Sequence, residues 1–183
     1  MAFAYYDRLT CAQQRIYRQS DAVTSIPLPG TASLRSIVDH LARALARGNR
    51  PEAQAAAGEL VAAITAQLSV PPLNVEVLLA RPARRWGELH GLYSPARKGR
   101  SAGVTLWMRT ARQKRVVAFR TFLRTLLHEL CHHLDYTHLG LPDSFHTEGF
   151  YKRESGLLRQ LIGDRGPGTP EAQEVAELLL PMR

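Results

Sequence analysis

Cysteine is scarce in this 183-residue chain, which contains only Cys11 and Cys131. Two cysteines do not make the disulfide framework of a small secreted domain, so we expect a reducing compartment. Long apolar runs are also missing. No stretch approaches the roughly 20 residues that span a bilayer, and residues 1–20 carry charge where a secretory signal would be continuously apolar. The sequence therefore predicts a cytoplasmic protein without a membrane partner.

Acidic residues are nearly absent between positions 81 and 120, where Glu88 is the only one. The formal net charge of the chain is +8, and this segment holds eleven lysines and arginines: Arg81, Arg84, Arg85, Arg97, Lys98, Arg100, Arg109, Arg112, Lys114, Arg115 and Arg120. The simplest interpretation is a solvated face. The alternative is weak nucleic-acid binding through residues 81–120, because clustered cations displace counterions from phosphates. Trp86 and Trp107 would then be available to stack on bases.

The hydrophobic periodicity predicts an α+β fold in which helices flank a small antiparallel or mixed sheet. Apolar residues at helical spacing favour helices at 4–18, 33–46, 52–68, 116–136, 147–162 and 171–180, with Ser33 as an N-cap. Runs rich in β-forming residues predict strands at 74–79, 86–93 and 103–109, of which the last two form a hairpin. We divide the chain into an N-terminal helical region, residues 1–70, packed on a second region, residues 71–183.

One predicted helix carries the motif His128-Glu129-Leu130-Cys131-His132. At about 100° per residue, the two histidines lie one turn apart on the side opposite the apolar face. Two neutral imidazoles at this spacing can bind one Zn²⁺. Glu129 directly follows the first histidine, so its carboxylate flanks the metal and can take a proton from a metal-activated water. The motif therefore predicts a zinc site with Glu129 as general base.

Several residues downstream of the motif are candidates for a third zinc ligand. His146 is favoured because it directly precedes a predicted helix in which an aromatic residue, Phe150, lies four positions further on. His138 is the alternative at the metzincin spacing, ten residues after the first histidine, but the glycine of that pattern is missing. Two glutamates, Glu148 and Glu154, are further alternatives. We expect one zinc ion per chain, bound by His128, His132 and His146.

The sequence resembles the SprT-like zinc metallopeptidases, a zincin group that includes the DNA–protein crosslink protease Spartan. The resemblance covers roughly residues 70–162. It rests on the motif, a spacer of thirteen residues, and His146-x-x-x-Phe150 at the start of the following helix. It implies a zincin-like fold for residues 71–183, with the small sheet packed on a central helix that carries the motif and with extra helices at the N-terminus. It also implies zinc binding by three histidines and catalysis by Glu129. The family often has glycine after the third histidine, where this chain has Thr147, and the chain has no CxxC pair for an accessory zinc ribbon.

These observations together predict a zinc-dependent endopeptidase that acts on a protein or peptide substrate. The predicted strand Gly103–Arg109 would border the cleft and pair with an extended substrate through an exposed edge. Tyr136 and Tyr151 are candidates for stabilising the oxyanion. The alternative function is a non-proteolytic zinc-containing protein that binds nucleic acid or acts as a scaffold. The presence of Glu129 favours the peptidase, because a structural zinc site has no need of a base.

Overall fold

The computed structural model describes residues 3–80, 83–84, 87–88 and 90–163, so the predicted helix at 171–180 lies outside the described residues. A 3-10 turn at Tyr6–Arg8 is followed by helices α1 (Cys11–Ala22), α2 (Thr31–Ala46) and α3 (Arg50–Gln67). The strands are β1 (Asn74–Ala80), β2 (Ala83–Arg84), β3 (Gly87–Glu88), β4 (Gly91–Ser94) and β5 (Gly103–Arg109). Helices α4 (Phe119–Thr137) and α5 (Glu148–Ile162) complete the described part. The predicted α+β class is confirmed.

The helix starts follow from side-chain caps that the sequence supplies. The Thr10 side chain accepts a hydrogen bond from the backbone N–H of Gln13, whose own side chain caps Thr10 in return, which forms a capping box at α1. The Asn49 side chain accepts a hydrogen bond from the backbone N–H of Glu52, the third residue of α3. The prediction for α2 was wrong in detail, because the helix begins at Thr31 and Ser33 lies inside its first turn. Its hydroxyl donates to the Gly30 carbonyl, 3.0 Å away, instead of capping.

A single hydrophobic cluster connects the N-terminal helices with the rest of the described chain. Leu41 of α2 and Leu60 of α3 belong to the same buried cluster as Leu130 of α4 and Leu158 of α5. Helix α4 packs against β4 and β5 and also against α5, while α3 covers β1 and α1 packs on α5. Helix α4 is therefore central to the fold, as predicted. None of the described helices is both long and apolar enough to cross a membrane.

The main sheet is mixed and has the strand order β1-β5-β4. Strand β1 pairs in parallel with β5, whereas β4 and β5 form an antiparallel hairpin, as predicted for the last two strands. The predicted strand at 86–93 is interrupted: β3 belongs to a separate two-stranded sheet with β2, and only β4 joins the main one.

The prediction that Gly103–Arg109 forms an exposed edge was wrong. Both sides of β5 are paired, because the preceding strand β1 returns to it in parallel register, with Asn74 opposite Gly103. Both faces of β5 are also covered, since Leu106, Trp107 and Met108 are all buried. Among the described strands, β4 is the member of the main sheet that lies next to α4 and forms an edge.

Candidate metal centre

Three imidazoles converge where α4 meets the loop before α5. His128 and His132 lie one turn apart on α4, and His146 approaches them from the loop. The Nε2 atom of His146 is 3.0 Å from the Nε2 atom of His128 and 3.1 Å from that of His132. The three nitrogen atoms are thus close enough together to bind one metal ion.

The Nδ1 atoms of the two helical histidines are both hydrogen-bonded on the protein side. His128 Nδ1 lies 2.9 Å from Glu154 Oε2, and His132 Nδ1 lies 2.7 Å from the Ser144 hydroxyl. That hydroxyl donates its own proton to Asp135, 2.7 Å away, so it accepts from His132. With Nδ1 protonated in both rings, each Nε2 presents a lone pair to the centre of the cluster.

The surroundings of His132 and His146 favour the neutral form of imidazole, which is the form that binds metals. Burial, together with the neighbouring His128 and His146, lowers the pKa of His132 to about 3. The pKa of His146 is also lowered, mainly by burial and then by His128. Both rings are therefore neutral at physiological pH.

A buried ion pair supports the partner of His132. Asp135 and Arg153 have fully buried side chains and are joined at 2.7 Å. The same guanidinium donates to the Ser20 carbonyl at 2.6 Å and to the Ser20 hydroxyl at 3.0 Å, which connects α4 and α5 with the end of α1. Because Asp135 then accepts from Ser144, the orientation of His132 depends on contacts that extend to the N-terminal helix.

His146 is held in place by the N-terminal segment and by the start of α5. The hydroxyl of Tyr5 donates to the His146 carbonyl at 2.8 Å. Thr147, which is fully buried, caps α5 by accepting from the N–H of Phe150 at 2.9 Å. The Phe150 ring lies about 5 Å from all three imidazoles, with centroid distances of 4.8–5.1 Å. The predicted arrangement of a histidine before a helix with an aromatic residue behind it is therefore observed.

Glu129 lies beside the histidine cluster and is 7% exposed. Burial raises the pKa of Glu129, and the electrostatic effect of the neighbouring His128 and a hydrogen bond from the backbone N–H of Tyr93 oppose that rise. Gly91 of β4 provides the space: a Cβ atom there would lie 2.5 Å from Glu129 Oε1 and 2.8 Å from Thr125 Cγ2. A glycine on β4 is thus what lets the strand approach the carboxylate.

An open cleft of about 810 Å³ runs along α4 past the histidine cluster. Its walls are β4, with Gly91, Leu92 and Tyr93, the exposed face of α4, and the Tyr151 side of α5. His90, which is exposed, also lines it. This volume is in the range of sites that enclose much of a bound molecule.

Tyr93 of the cleft wall is held by the buried His133, a contact that the sequence did not predict. His133 is 1% exposed, and its Nε2 lies 2.8 Å from the Pro71 carbonyl, which can only accept. His133 Nδ1 is therefore unprotonated and accepts from the Tyr93 hydroxyl, 3.3 Å away. Burial raises the pKa of Tyr93 to about 12, so this tyrosine is neutral.

The two tyrosines predicted as oxyanion stabilisers both line the cleft. The Tyr151 ring is 40% exposed and stacks on His146 with centroids 5.8 Å apart. The Tyr136 ring stacks on Tyr93 with centroids 6.0 Å apart. Tyr151 is therefore next to the third histidine, whereas Tyr136 lies further along the cleft.

The alternative third ligands lie outside the histidine cluster. His138 is exposed and caps the end of α4. Glu148 pairs with Lys152 at 2.7 Å on the surface of α5. Glu154 contacts the cluster only through His128 Nδ1 and so supports a candidate ligand from behind.

The basic segment is only partly described. Arg97, Lys98 and Arg100, which we call the basic turn, are exposed between β4 and β5. Trp107 is only 7% exposed, so the prediction that it could stack on bases was wrong: both faces of the central strand β5 are covered. Trp86 lies outside the described residues.

Comparisons with family models, with curated proteins and with solved structures found no match to this chain. The site is therefore interpreted from its own geometry and chemistry. Those are three convergent imidazole nitrogens, a buried carboxylate beside them, and a cleft that exposes both.

Proposed function

We propose that this chain is a zinc-dependent endopeptidase with Glu129 as general base, on a zincin-like fold of the SprT-like type. The observation that carries the proposal is the convergence of three imidazole Nε2 atoms beside a buried carboxylate in an open cleft. Structural zinc sites usually have four protein ligands, whereas catalytic ones have three. Among the described residues the cluster has three members, which is the catalytic number.

The donor set fits zinc. His128, His132 and His146 offer imidazole nitrogen ligands, and two of them are oriented by hydrogen bonds from Nδ1, as is usual for metal-bound histidines. When bound, zinc would supply a Lewis acid that brings the pKa of a water near neutrality and polarises a carbonyl.

Glu129 supplies the proton transfers of the proposed reaction. Its carboxylate accepts a proton from the water whose oxygen attacks the peptide carbonyl carbon. It then passes that proton to the leaving nitrogen as the C–N bond breaks. Burial raises the pKa of Glu129, which makes its carboxylate a stronger base for the first step.

The shape of the cleft supports a peptide as substrate. The cleft is bordered by β4, an edge strand among the described strands, and an extended chain can add to such an edge through main-chain hydrogen bonds. Gly91 keeps the strand close to Glu129, so a chain aligned with β4 would pass the carboxylate.

The proposal is tested with purified protein by metal analysis and by hydrolysis of an unstructured protein such as casein. We expect one zinc per chain and cleavage of casein. Glu129→Gln should retain zinc and fold but lose at least about 100-fold in activity, because glutamine has nearly the same shape and cannot accept the proton. His146→Ala should lose zinc, while the matched variant His138→Ala should retain it.

Each result has a distinct meaning. Full activity in Glu129→Gln would exclude the proposed mechanism. Loss of zinc in His138→Ala with retention in His146→Ala would exclude the assigned ligand set. Stoichiometric zinc without hydrolysis of any unstructured protein would favour the alternative, a non-proteolytic zinc-containing protein that binds nucleic acid or acts as a scaffold.

A further inference from the structure

The two ends of the cleft differ in chemistry. Helix α4 runs along it, with Arg124 before the histidine pair and Tyr136 after it. Each is four residues from the nearer histidine, which corresponds to about 6 Å along the helix axis. The Tyr136 end is aromatic, since its ring stacks on Tyr93, whereas the Arg124 end includes Thr121 and Thr125.

Arg124 is the only lysine or arginine among the described residues that line the cleft. Its side chain is 52% exposed and contacts Glu154 through Nε, at 3.5 Å from Oε1. Glu154 is almost fully buried, and its other oxygen is used by His128. This contact is made by Nε, so Nη1 and Nη2 are not used in it. Those two nitrogens can bind a carboxylate with two parallel hydrogen bonds.

At the Tyr136 end of the cleft, the hydroxyl of Tyr93 on β4 already makes a hydrogen bond within the protein. The Tyr93 hydroxyl donates to His133, and that histidine is fixed by the Pro71 carbonyl. A carboxylate at this end would meet ring faces and a neutral hydroxyl without a cation. An acidic substrate side chain would therefore be favoured only at the Arg124 end.

The spacing relates Arg124 to the bond being cleaved. An extended peptide advances about 3.3 Å per residue, so about 6 Å corresponds to two residues. We propose that Arg124 is a specificity-determining residue that binds an aspartate or glutamate side chain of the substrate, one or two residues from the scissile bond. This inference rests on the proposed peptidase function.

The test uses peptides that differ only by glutamate or glutamine at each of the two positions on either side of the scissile bond. Wild-type protein should prefer glutamate at one of these positions by about fivefold in kcat/KM, as for a half-exposed ion pair. In Arg124→Gln the ratio should fall to about one, and in Arg124→Glu it should fall below one. Arg159→Gln, which removes an exposed arginine of α5 outside the cleft, should retain the wild-type ratio. Zinc content is measured for every variant.

A binding measurement separates this inference from the peptidase proposal. Fluorescence anisotropy of the labelled glutamate and glutamine peptides is measured with metal-free protein at low and high salt. The glutamate peptide should bind about fivefold more tightly at low salt, and Arg124→Gln should remove the difference. A binding difference without hydrolysis of either peptide would reject the peptidase but retain the role of Arg124. An absence of preference at all four positions, or a preference that survives Arg124→Gln, would overturn the inference.

Discussion

Replacement of Gly91 by alanine tests whether the close approach of β4 to Glu129 matters for activity. The added Cβ atom would lie 2.5 Å from Glu129 Oε1 and 2.8 Å from both Glu129 Cγ and Thr125 Cγ2. These contacts must lengthen to at least 3.4 Å, the start of the ordinary range. Either the Glu129 side chain rotates away or β4 moves off α4. The Thr125 methyl group cannot turn aside without breaking the hydrogen bond from its hydroxyl to the Thr121 carbonyl, 2.9 Å away.

The expected consequence is a large loss of activity with a modest loss of stability. A misplacement of about 1 Å at a catalytic group can cost about 100-fold in rate, so kcat should fall about 100-fold. Overpacking costs about 1–3 kcal/mol of unfolding free energy, which corresponds to about 2–4 °C in Tm per kcal/mol for a chain of this size. Zinc content should stay unchanged, since the atoms nearest the added Cβ belong to Glu129 and Thr125 and not to the histidines.

Gly103→Ala is the matched control for this variant. Gly103 lies on the neighbouring strand β5, and its added Cβ atom would meet only the Asn74 carbonyl at 3.8 Å. We expect this variant to retain wild-type activity and zinc. Casein hydrolysis, metal analysis and thermal unfolding of both variants are the measurements. A Gly91→Ala protein with wild-type kcat would refute the argument that the position of Glu129 is set by its contact with β4.

Two further predictions concern pH and nucleic acid. The folded-state pKa of His132 is about 3, against an ordinary value of 6.5. As the pH falls, His132 is therefore protonated in the unfolded chain before it is protonated in the folded one, which favours unfolding. The Tm of metal-free protein should therefore decrease as the pH is lowered from 6.5 to 3, and it should decrease less steeply in His132→Gln. An equal dependence of Tm on pH in the two proteins would contradict this. Weak binding to labelled single-stranded DNA should decrease steeply with salt, and reversing the charges of the basic turn should weaken it. No binding at low salt would make that turn an ordinary solvated surface.

Local patterns in the sequence were sufficient to predict the elements that carry the histidine cluster. The i, i+4 spacing of His128 and His132 determines their relative position on any helix, so their meeting required only that α4 form. His146 could be selected because a residue directly before a helix has a restricted position, and Phe150 is one turn further on. The caps at Thr10 and Asn49 are likewise local, since each bond joins residues three apart.

The rest of the site depends on contacts between residues far apart in the sequence. Tyr93 and His133 are separated by 40 residues, and Arg153 lies 133 residues from Ser20. No spacing rule relates such pairs. The order of the sheet could not be predicted for the same reason: a hairpin of β4 and β5 is local, but the parallel pairing of β1 with β5 makes β5 central. The need of Asp135 for a partner could have been predicted. Its position in the helix pattern is a buried one, and a buried carboxylate requires a partner.

The N-terminal segment forms part of the support for the candidate metal centre. The Tyr5 hydroxyl bonds to the carbonyl of His146, and the Asp21 side chain accepts from the N–H of Gly149 at 2.9 Å in the first turn of α5. A Cβ atom at Gly149 would lie 2.4 Å from the Asp21 carbonyl, so α1 and α5 approach more closely there than a side chain allows. Arg153 adds its bonds to Ser20 one turn further along α5. Two of the candidate ligands therefore depend on residues 5–21: His146 through its own carbonyl, and His132 through the ion pair behind its hydrogen-bond partner. An imidazole held in place through its ring or through its backbone loses little freedom when it binds a metal, which is the physical advantage of building the support from a distant part of the chain.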